Sequence, residues 1–443
     1  MKNNLISENQ LQLRLFLYFT ISVFYISFMS FYAPLGTNWL EWHFLRIYNF
    51  SEYLRINGYL SNFGFSIWSK CSECSLNAED WKNNIYLTIN FITVFPYVII
   101  NDLFGNDSLR FYGNLLDKII IIFTGCLIAE LYLKFLKSRS NLYNLIISVT
   151  IFSFFLINPW TYKMLIAGWW IIYFIAFFLF GILLILEKRE KLGLFFLFLA
   201  GCFDYQSSTG LILFYILLKL FTNIKDKNFN LQEYFPSVRN NSINYKFLIS
   251  LTLPVIIFLS LRFLISADLE NNSGSSLLTR IGISGDDIHN GGILGALQFL
   301  GGNRITLCLE GLSSDLNSMN LNTKIEIFNC SLSILSMILI SLLSFYGLFI
   351  IYKNEKKFFN LIILPILFLL LSYTFILQQS SSVHLMGYSY FFSILFSFGI
   401  TNLLFQIIKK NKYSLAINII ALPIIFGILI LFIRVSMLTG PNG

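Results

Sequence analysis

The hydrophobic positions of this chain come in long unbroken runs, not in the one-sided stripes of a water-soluble fold. Leu165–Leu186, Phe247–Ile265, Ile327–Tyr352 and Leu415–Ile433 are each close to the roughly 20 apolar residues that a helix needs to cross a hydrocarbon core. Leu15–Tyr32 reads as a first span. Its length, its large aromatics and the missing small-residue cleavage pattern make it a retained anchor, not a signal peptide.

Polar residues between the runs set the direction of each. Basic clusters at Lys134/Lys137/Arg139, Lys188/Arg189/Lys191, Lys225/Lys227, Lys353/Lys356/Lys357 and Lys409/Lys410/Lys412 fall in short connections, as the positive-inside rule expects of cytoplasmic loops. With Lys2 and Arg14 ahead of it, the first span runs outward. Residues 33–117 and 266–323 are then extracytoplasmic loops. Ile85–Gly105 is apolar enough for a span, but counting it as one would put the basic clusters from Lys134 to Lys357 outside. It is expected instead as a helix or helix pair, broken near Pro96, lying on the outer leaflet.

Leu115–Leu136 then runs inward, Leu142–Ile157 outward and Leu165–Leu186 inward. Leu192–Phe221 has cytoplasmic flanks at both ends, which predicts two short spans meeting at the polar turn Asp204–Gly210, tolerable if that turn is buried or lines a wet cavity. Phe247–Ile265 leaves, Ile327–Tyr352 returns, Phe358–Leu377 leaves and Gln378–Gly387 turns on the outside. Tyr388–Ile408 returns and Leu415–Ile433 leaves. The expected fold is a single all-α polytopic membrane domain over residues 1–443, with about eleven transmembrane helices and a large first extracytoplasmic loop of amphipathic helices. No internal repeat stands out, which weakens a transporter reading.

Composition agrees. Only 12% of the 443 residues are charged, against about 25% in soluble domains. The net charge of +8 is explained by the loop lysines and arginines, so no nucleic-acid partner is implied. Among the six cysteines, Cys126 and Cys202 fall in apolar runs as small packing residues. Cys71-x-x-Cys74 and the pair Cys308 and Cys330 lie in or beside the outer loops, where disulfides are chemically permitted. Zinc at Cys71/Cys74 lacks a second ligand pair.

The densest chemistry lies in the first loop, where Glu41, His43, Arg46, Glu52, Arg55, Glu73, Glu79 and Asp80 stand among Trp39, Trp42, Trp68 and Trp81. A carboxylate pinned at an apolar interface, as Glu41 is in Trp39-Leu-Glu-Trp-His-Phe-Leu-Arg46, has the proton affinity of a general base; the plainer reading is a solvated loop residue near an aromatic belt. Asp204, with Tyr205 and Gln206 beside it, is an ionisable group inside an apolar run, a candidate for lining a cavity or for capping two short helices. Asp286-Asp287-Ile-His289 has ligand types for a divalent metal, but the same residues in a Gly/Asn-rich loop are ordinarily solvated, so no cofactor is assigned. Arg304 and His384 are candidates for contacting a phosphate. No phosphate-binding loop, nucleophile elbow, zinc-protease motif or dinucleotide fingerprint is present.

The order of these features resembles the GT-C superfamily of polyprenyl-phosphate-dependent glycosyltransferases, such as the protein mannosyltransferases and aminoarabinose transferases. The matching positions are Glu41 after the first span, Gly58 closing the following segment, and Leu103-Phe-Gly105 with Arg110 entering the next span. The segment His384-Leu-Met-Gly-Tyr388-Ser-Tyr390 is similar to the family's late His/Arg-Tyr stretch. Two departures stand beside the match: Glu41 follows Leu40, not a second acid, and no His-Pro-Pro stretch follows Gly58.

The resemblance implies a bacterial inner-membrane enzyme with an extracytoplasmic site. It would move a sugar from a polyprenyl-phosphate donor to a hydroxyl of a glycan, lipid or protein acceptor. Glu41 and Asp204 are the catalytic candidates, Arg46, Arg110, Arg304 and His384 the donor-phosphate ligands, and Tyr205, Gln206 and Tyr388 the cavity lining. A polymerase or ligase of lipid-linked glycans, and then a transporter, are the alternatives.

Overall fold

A computed structural model of the chain describes residues 2–32, 58, 65–67, 85–136, 141–158, 160–161, 171–224, 243–266, 338–339, 341–371 and 382–410. These residues are almost entirely helical, as the long apolar runs predict. The helices are α1 (Lys2–Tyr32), α2 (Phe91–Phe104), α3 (Asn106–Phe135), α4 (Asn141–Ile157), α5 (Ile171–Leu186), α6 (Glu190–Phe203), α7 (Tyr205–Ile224) and α8 (Ile243–Ser266). They continue with α9 (341–354), α10 and α11 (Ser382–Lys410); α10 joins Lys356–Phe358, a π-helical turn at Phe359–Ile363, and Leu364–Leu371. The chain divides into two compact units, one of Met1–Tyr25, Ile128–Met164 and Leu278–Gly443, the other of Ile26–Leu127 and Leu165–Leu277.

Two expectations are corrected. The segment beginning at Ile85 is not helical throughout: Ile85–Asn90 is a strand, β2, paired antiparallel with β1 (Phe65–Ile67), with Ser66 opposite Tyr86 and Ile67 opposite Ile85. Pro96 does not break the helix that follows but sits inside α2, in its second turn. Secondly, the stretch carrying His384 is not a turn, because α11 begins at Ser382. The expected span Leu415–Ile433 and most of both outer loops lie outside the described residues.

In the unit containing α5 to α8, α5 and α6 form an antiparallel hairpin. Gly181 faces Gly193 so closely that a Cβ on Gly193 would lie 2.7 Å from the Gly181 carbonyl oxygen. Phe180 meets Phe196, and Tyr173 stacks on Phe203. The hairpin turns at Glu187–Arg189, where Lys188 has a positive φ of 65° and Arg189 N–H donates to the Leu184 carbonyl at 2.8 Å, closing the end of α5.

The chain then reverses at one residue. α6 runs alongside α8 in the same direction, with Lys246 paired to Glu190 at 3.0 Å near their starts and Gly201 against Pro254 further along. α7 runs back the other way, since Tyr205 lies by Phe258, Ser208 donates to the Leu251 carbonyl at 2.9 Å, and Tyr215 lies by Phe247. Asp204 separates the two helices, so the reversal falls where the flanking charges required it; the expected turn Asp204–Gly210 is corrected to Asp204 alone, because Tyr205–Gly210 already belong to α7, which at 20 residues is not short. At 14 residues, α6 is about 21 Å long, short of the roughly 30 Å of a hydrocarbon core.

In the other unit, basic segments far apart in sequence share one end. Tyr132, two residues before Lys134, packs its ring on Phe358 and on Phe398 and donates its hydroxyl proton to Asn402. Phe358 follows Lys356 and Lys357 directly, and Asn402 precedes Lys409 by two turns. Helices α9 and α11 touch backbone to backbone where Gly347 meets Gly399.

Candidate acidic site

The polar centre of the α5–α8 unit is the carboxylate of Asp117, in the second quarter of α3 and fully buried. Tyr97 of α2 donates its hydroxyl proton to Asp117 Oδ1 at 2.6 Å, and Tyr173 of α5 donates to the same oxygen at 3.0 Å. The two phenol oxygens are 3.3 Å apart and the rings meet edge to face. Three helices are thereby tied at one atom, by buried hydrogen bonds that are costly to leave unmade.

The surroundings are unusual in their polarity. On α2, Thr93, Tyr97 and Asn101 recur every four residues and are all buried; on α3, Asn114 and Lys118 flank Asp117 and are buried with it. The outward faces are the apolar ones: Phe95, Ile99 and Leu103 on α2 and Phe111 and Ile119 on α3 are exposed, Leu103 to 70%. Val94 and Val98 of α2 are buried as well, so apolar side chains stand on both faces, unlike a surface helix in water.

A second carboxylate stands one ring pair away. Tyr173 stacks on Phe203 at 5.0 Å with ring planes 8° apart, and the next residue is Asp204. Asp204 accepts the Ser207 backbone N–H at 3.2 Å and the Ser207 hydroxyl at 2.6 Å. Its extended backbone (φ −144°, ψ 90°) and this bond to the third residue onward make it the N-cap of α7. Tyr205 and Phe258, with Cys202 and Val255, form a buried apolar cluster behind it. Both carboxylates lie at the open end of the α5–α6 hairpin, away from Lys188, Arg189 and Lys191.

Of the expected site residues, the structure describes the side chains of Asp204 and Tyr205. Gln206 lies in the first turn of α7, Arg110 in the second turn of α3, and His384 and Tyr388 in the first two turns of α11. Glu41, Arg46, Arg304, Asp286, Asp287 and His289 lie outside the described residues, as do Cys71, Cys74, Cys308 and Cys330. Among the described residues no group of three or more metal-ligating side chains gathers, and Cys126 and Cys202 are free thiols.

Asp117, Tyr97 and Tyr173 were not among the expected residues. The available signal was an acid within two residues of the start of the apolar run Leu115–Leu136, which the rule for intramembrane charges would flag had Asp117 not been counted as the last residue of the loop.

Gly58 and Gly105, both picked out by the family resemblance, have φ of 91° and 78° and are the described glycines in the left-handed region. Gly105 closes α2, its N–H donating to the Asn101 carbonyl at 2.8 Å, and opens α3, its carbonyl accepting from Ser108 at 3.2 Å. No family model, no curated protein and no solved structure matches the chain.

Proposed function

We propose that this chain is an integral-membrane glycosyltransferase that moves a sugar from a polyprenyl-phosphate donor to an acceptor hydroxyl at the extracytoplasmic face. Among the described residues no helix is long and apolar enough to cross a membrane. Support for the bilayer comes instead from what the helices turn outward: Phe16, Phe19 and Phe24 on α1, Ile249, Leu253 and Ile256 on α8, and Leu342, Tyr346 and Phe349 on α9 are all exposed. Water would penalise such faces and lipid would not. The exposed Phe95, Ile99 and Leu103 of α2 belong to the same argument.

The observation that carries the enzymatic reading is the conformation of Gly58 and Gly105. The resemblance singles out these two positions, and both have backbone angles that favour glycine. Glu41 is the proposed base. As the acceptor oxygen bonds to the anomeric carbon, its proton passes to the Glu41 carboxylate. The bond from that carbon to the phosphate oxygen breaks, its electron pair leaving with the polyprenyl phosphate. Arg46, Arg110, Arg304 and His384 are the cations and donors proposed to meet the charge that develops there. Asp204, engaged by Ser207, holds the α6–α7 turn.

The test is release of free polyprenyl phosphate from synthetic polyprenyl-phosphate sugars by the protein in lipid nanodiscs. Glu41→Gln keeps the side-chain shape and removes the basicity, and should slow release by about 10²–10⁴-fold. Release at the wild-type rate by that variant would remove Glu41 from the mechanism. A transporter is the second reading, favoured by the buried Asp117 and Lys118 in α3. It predicts binding and flux of an intact solute with no release of polyprenyl phosphate.

A further inference from the structure

The long segment 33–90, which carries Glu41, leaves α1 at Tyr32 and rejoins the helical body through β2 and α2, with no residue between Asn90 and Phe91. Wherever α2 is held, the returning end of that segment is held too. One face of α2, with Thr93, Val94, Tyr97, Val98 and Asn101, is buried. Its outward face (Phe95, Ile99, Leu103) is exposed. Its link to α3 is the single residue Gly105, at a φ of 78° with open space around its Cα.

Two contacts on its inner face fix its place in the unit. At the first turn, Ile92 packs on the apolar cluster of Cys202, Tyr205, Val255 and Phe258. One to two turns on, Tyr97 donates to Asp117 at 2.6 Å, bridging the glycine joint between two helices that are consecutive in sequence. Tyr173 brings in α5 at the same oxygen, and its stack on Phe203 continues the tie into α6. Asp117 has no exposed surface, so the geometry suits a fastening more than a group open to substrate.

We infer that Asp117 is a positioning residue: with Tyr97 and Tyr173 it latches α2 onto α3 and α5, and so fixes where the returning end of the Glu41 segment enters the helical body. What the latch serves rests on the glycosyltransferase reading; the latch itself does not. A short hydrogen bond to a fully buried carboxyl group is costly to leave unmade, and under the glycosyltransferase reading a small misplacement of a base is enough to lower turnover without removing substrate binding.

Hydrogen–deuterium exchange of the full chain in lipid nanodiscs tests the latch without an activity assay. Tyr97→Phe deletes the α2 bond while keeping the ring and leaving Asp117 bonded to Tyr173. Amides of Phe91–Phe104 should then exchange about tenfold faster or more, while those of α11 keep their wild-type rates. Tyr173→Phe spares the α2 bond and should loosen α2 less than Tyr97→Phe does. In the polyprenyl-phosphate release assay, Tyr97→Phe should lower kcat with KM for the donor nearly unchanged.

Unaltered exchange of α2 in Tyr97→Phe overturns the latch. Loss of release in Asp117→Asn with α2 exchange unaltered also overturns it, because Asp117 would then act on the substrate. If Asp117→Asn yields no folded protein, Tyr97→Phe decides alone. If α2 loosens as expected but the wild-type protein releases no polyprenyl phosphate, the latch stands and the glycosyltransferase reading fails.

Discussion

Arg14 and Glu130, 116 positions apart, meet in a two-pronged ion pair, Nε to Oε1 at 2.8 Å and Nη2 to Oε2 at 3.0 Å. Tyr18, one turn along α1, donates to the same Oε1 at 3.1 Å. The pair joins the fourth turn of α1 to the last turns of α3, which puts the middle of α1 level with the end of α3. Because both side chains are about 15% exposed, removing one leaves the other poorly solvated, which costs more than removing both. Arg14→Met should destabilise the fold by about 2–3 kcal/mol, and Arg14→Met/Glu130→Met by less than the sum of the single changes, with a coupling of about 1–3 kcal/mol. Denaturation of the four proteins in mixed detergent checks this.

Asp204 distinguishes a cap from a catalyst by a single atom. Asparagine also caps helices well and alanine does not. Asp204→Asn should therefore keep stability within about 0.5 kcal/mol and retain turnover, whereas Asp204→Ala should cost about 1–2 kcal/mol. Thermal denaturation and the release assay read the two effects separately. A stable but inactive Asn variant would return Asp204 to the catalytic candidates.

Gly193 and Gly105 resist substitution for different reasons. At Gly193 an added Cβ would meet the Gly181 carbonyl oxygen and Ile185 at 2.7 Å, so Gly193→Ala must push α5 and α6 apart. The overpacking cost of about 1–3 kcal/mol outweighs the helix propensity gained, about 0.5–1 kcal/mol. At Gly105 nothing lies within 4 Å and the φ of 78° is the obstacle. Gly105→Ala should cost about 1–2 kcal/mol, and Gly105→Asn should recover part of it. Equal losses for the Ala and Asn variants would contradict the conformational explanation.

The orientation proposed for the chain in a bilayer rests on the loop charges and on the α5–α6 hairpin. In a background without native cysteines, thiols introduced as Asn77→Cys and Asn106→Cys should label from the extracytoplasmic side, and Lys188→Cys, at the exposed hairpin turn, from the cytoplasmic side. Labelling of Asn106→Cys and Lys188→Cys from the same side would remove the proposed topology and the outer site with it.

The sequence alone determined what depends on local composition. Runs of apolar residues specified where helices form in the described chain, and the basic flanks of Leu192–Phe221 required the reversal that occurs at Asp204, since a charge balance needs no knowledge of neighbours. The tertiary structure decided everything that depends on which runs meet. Ile85–Asn90 is apolar without a clear period and reads equally as strand or helix. It is a strand because Phe65–Ile67, some twenty residues earlier, supplies its ladder partner. Asp117 looked like the edge of a loop because α3 was expected to begin near Leu115; the helix starts at Asn106, which carries Asp117 inside. There Tyr97 and Tyr173, two tyrosines among 23, bring their phenols to its carboxylate. That convergence is a property of three helices in space. A pattern along one chain records which side chains are polar, but the free energy of a buried carboxylate is set by the donors that surround it.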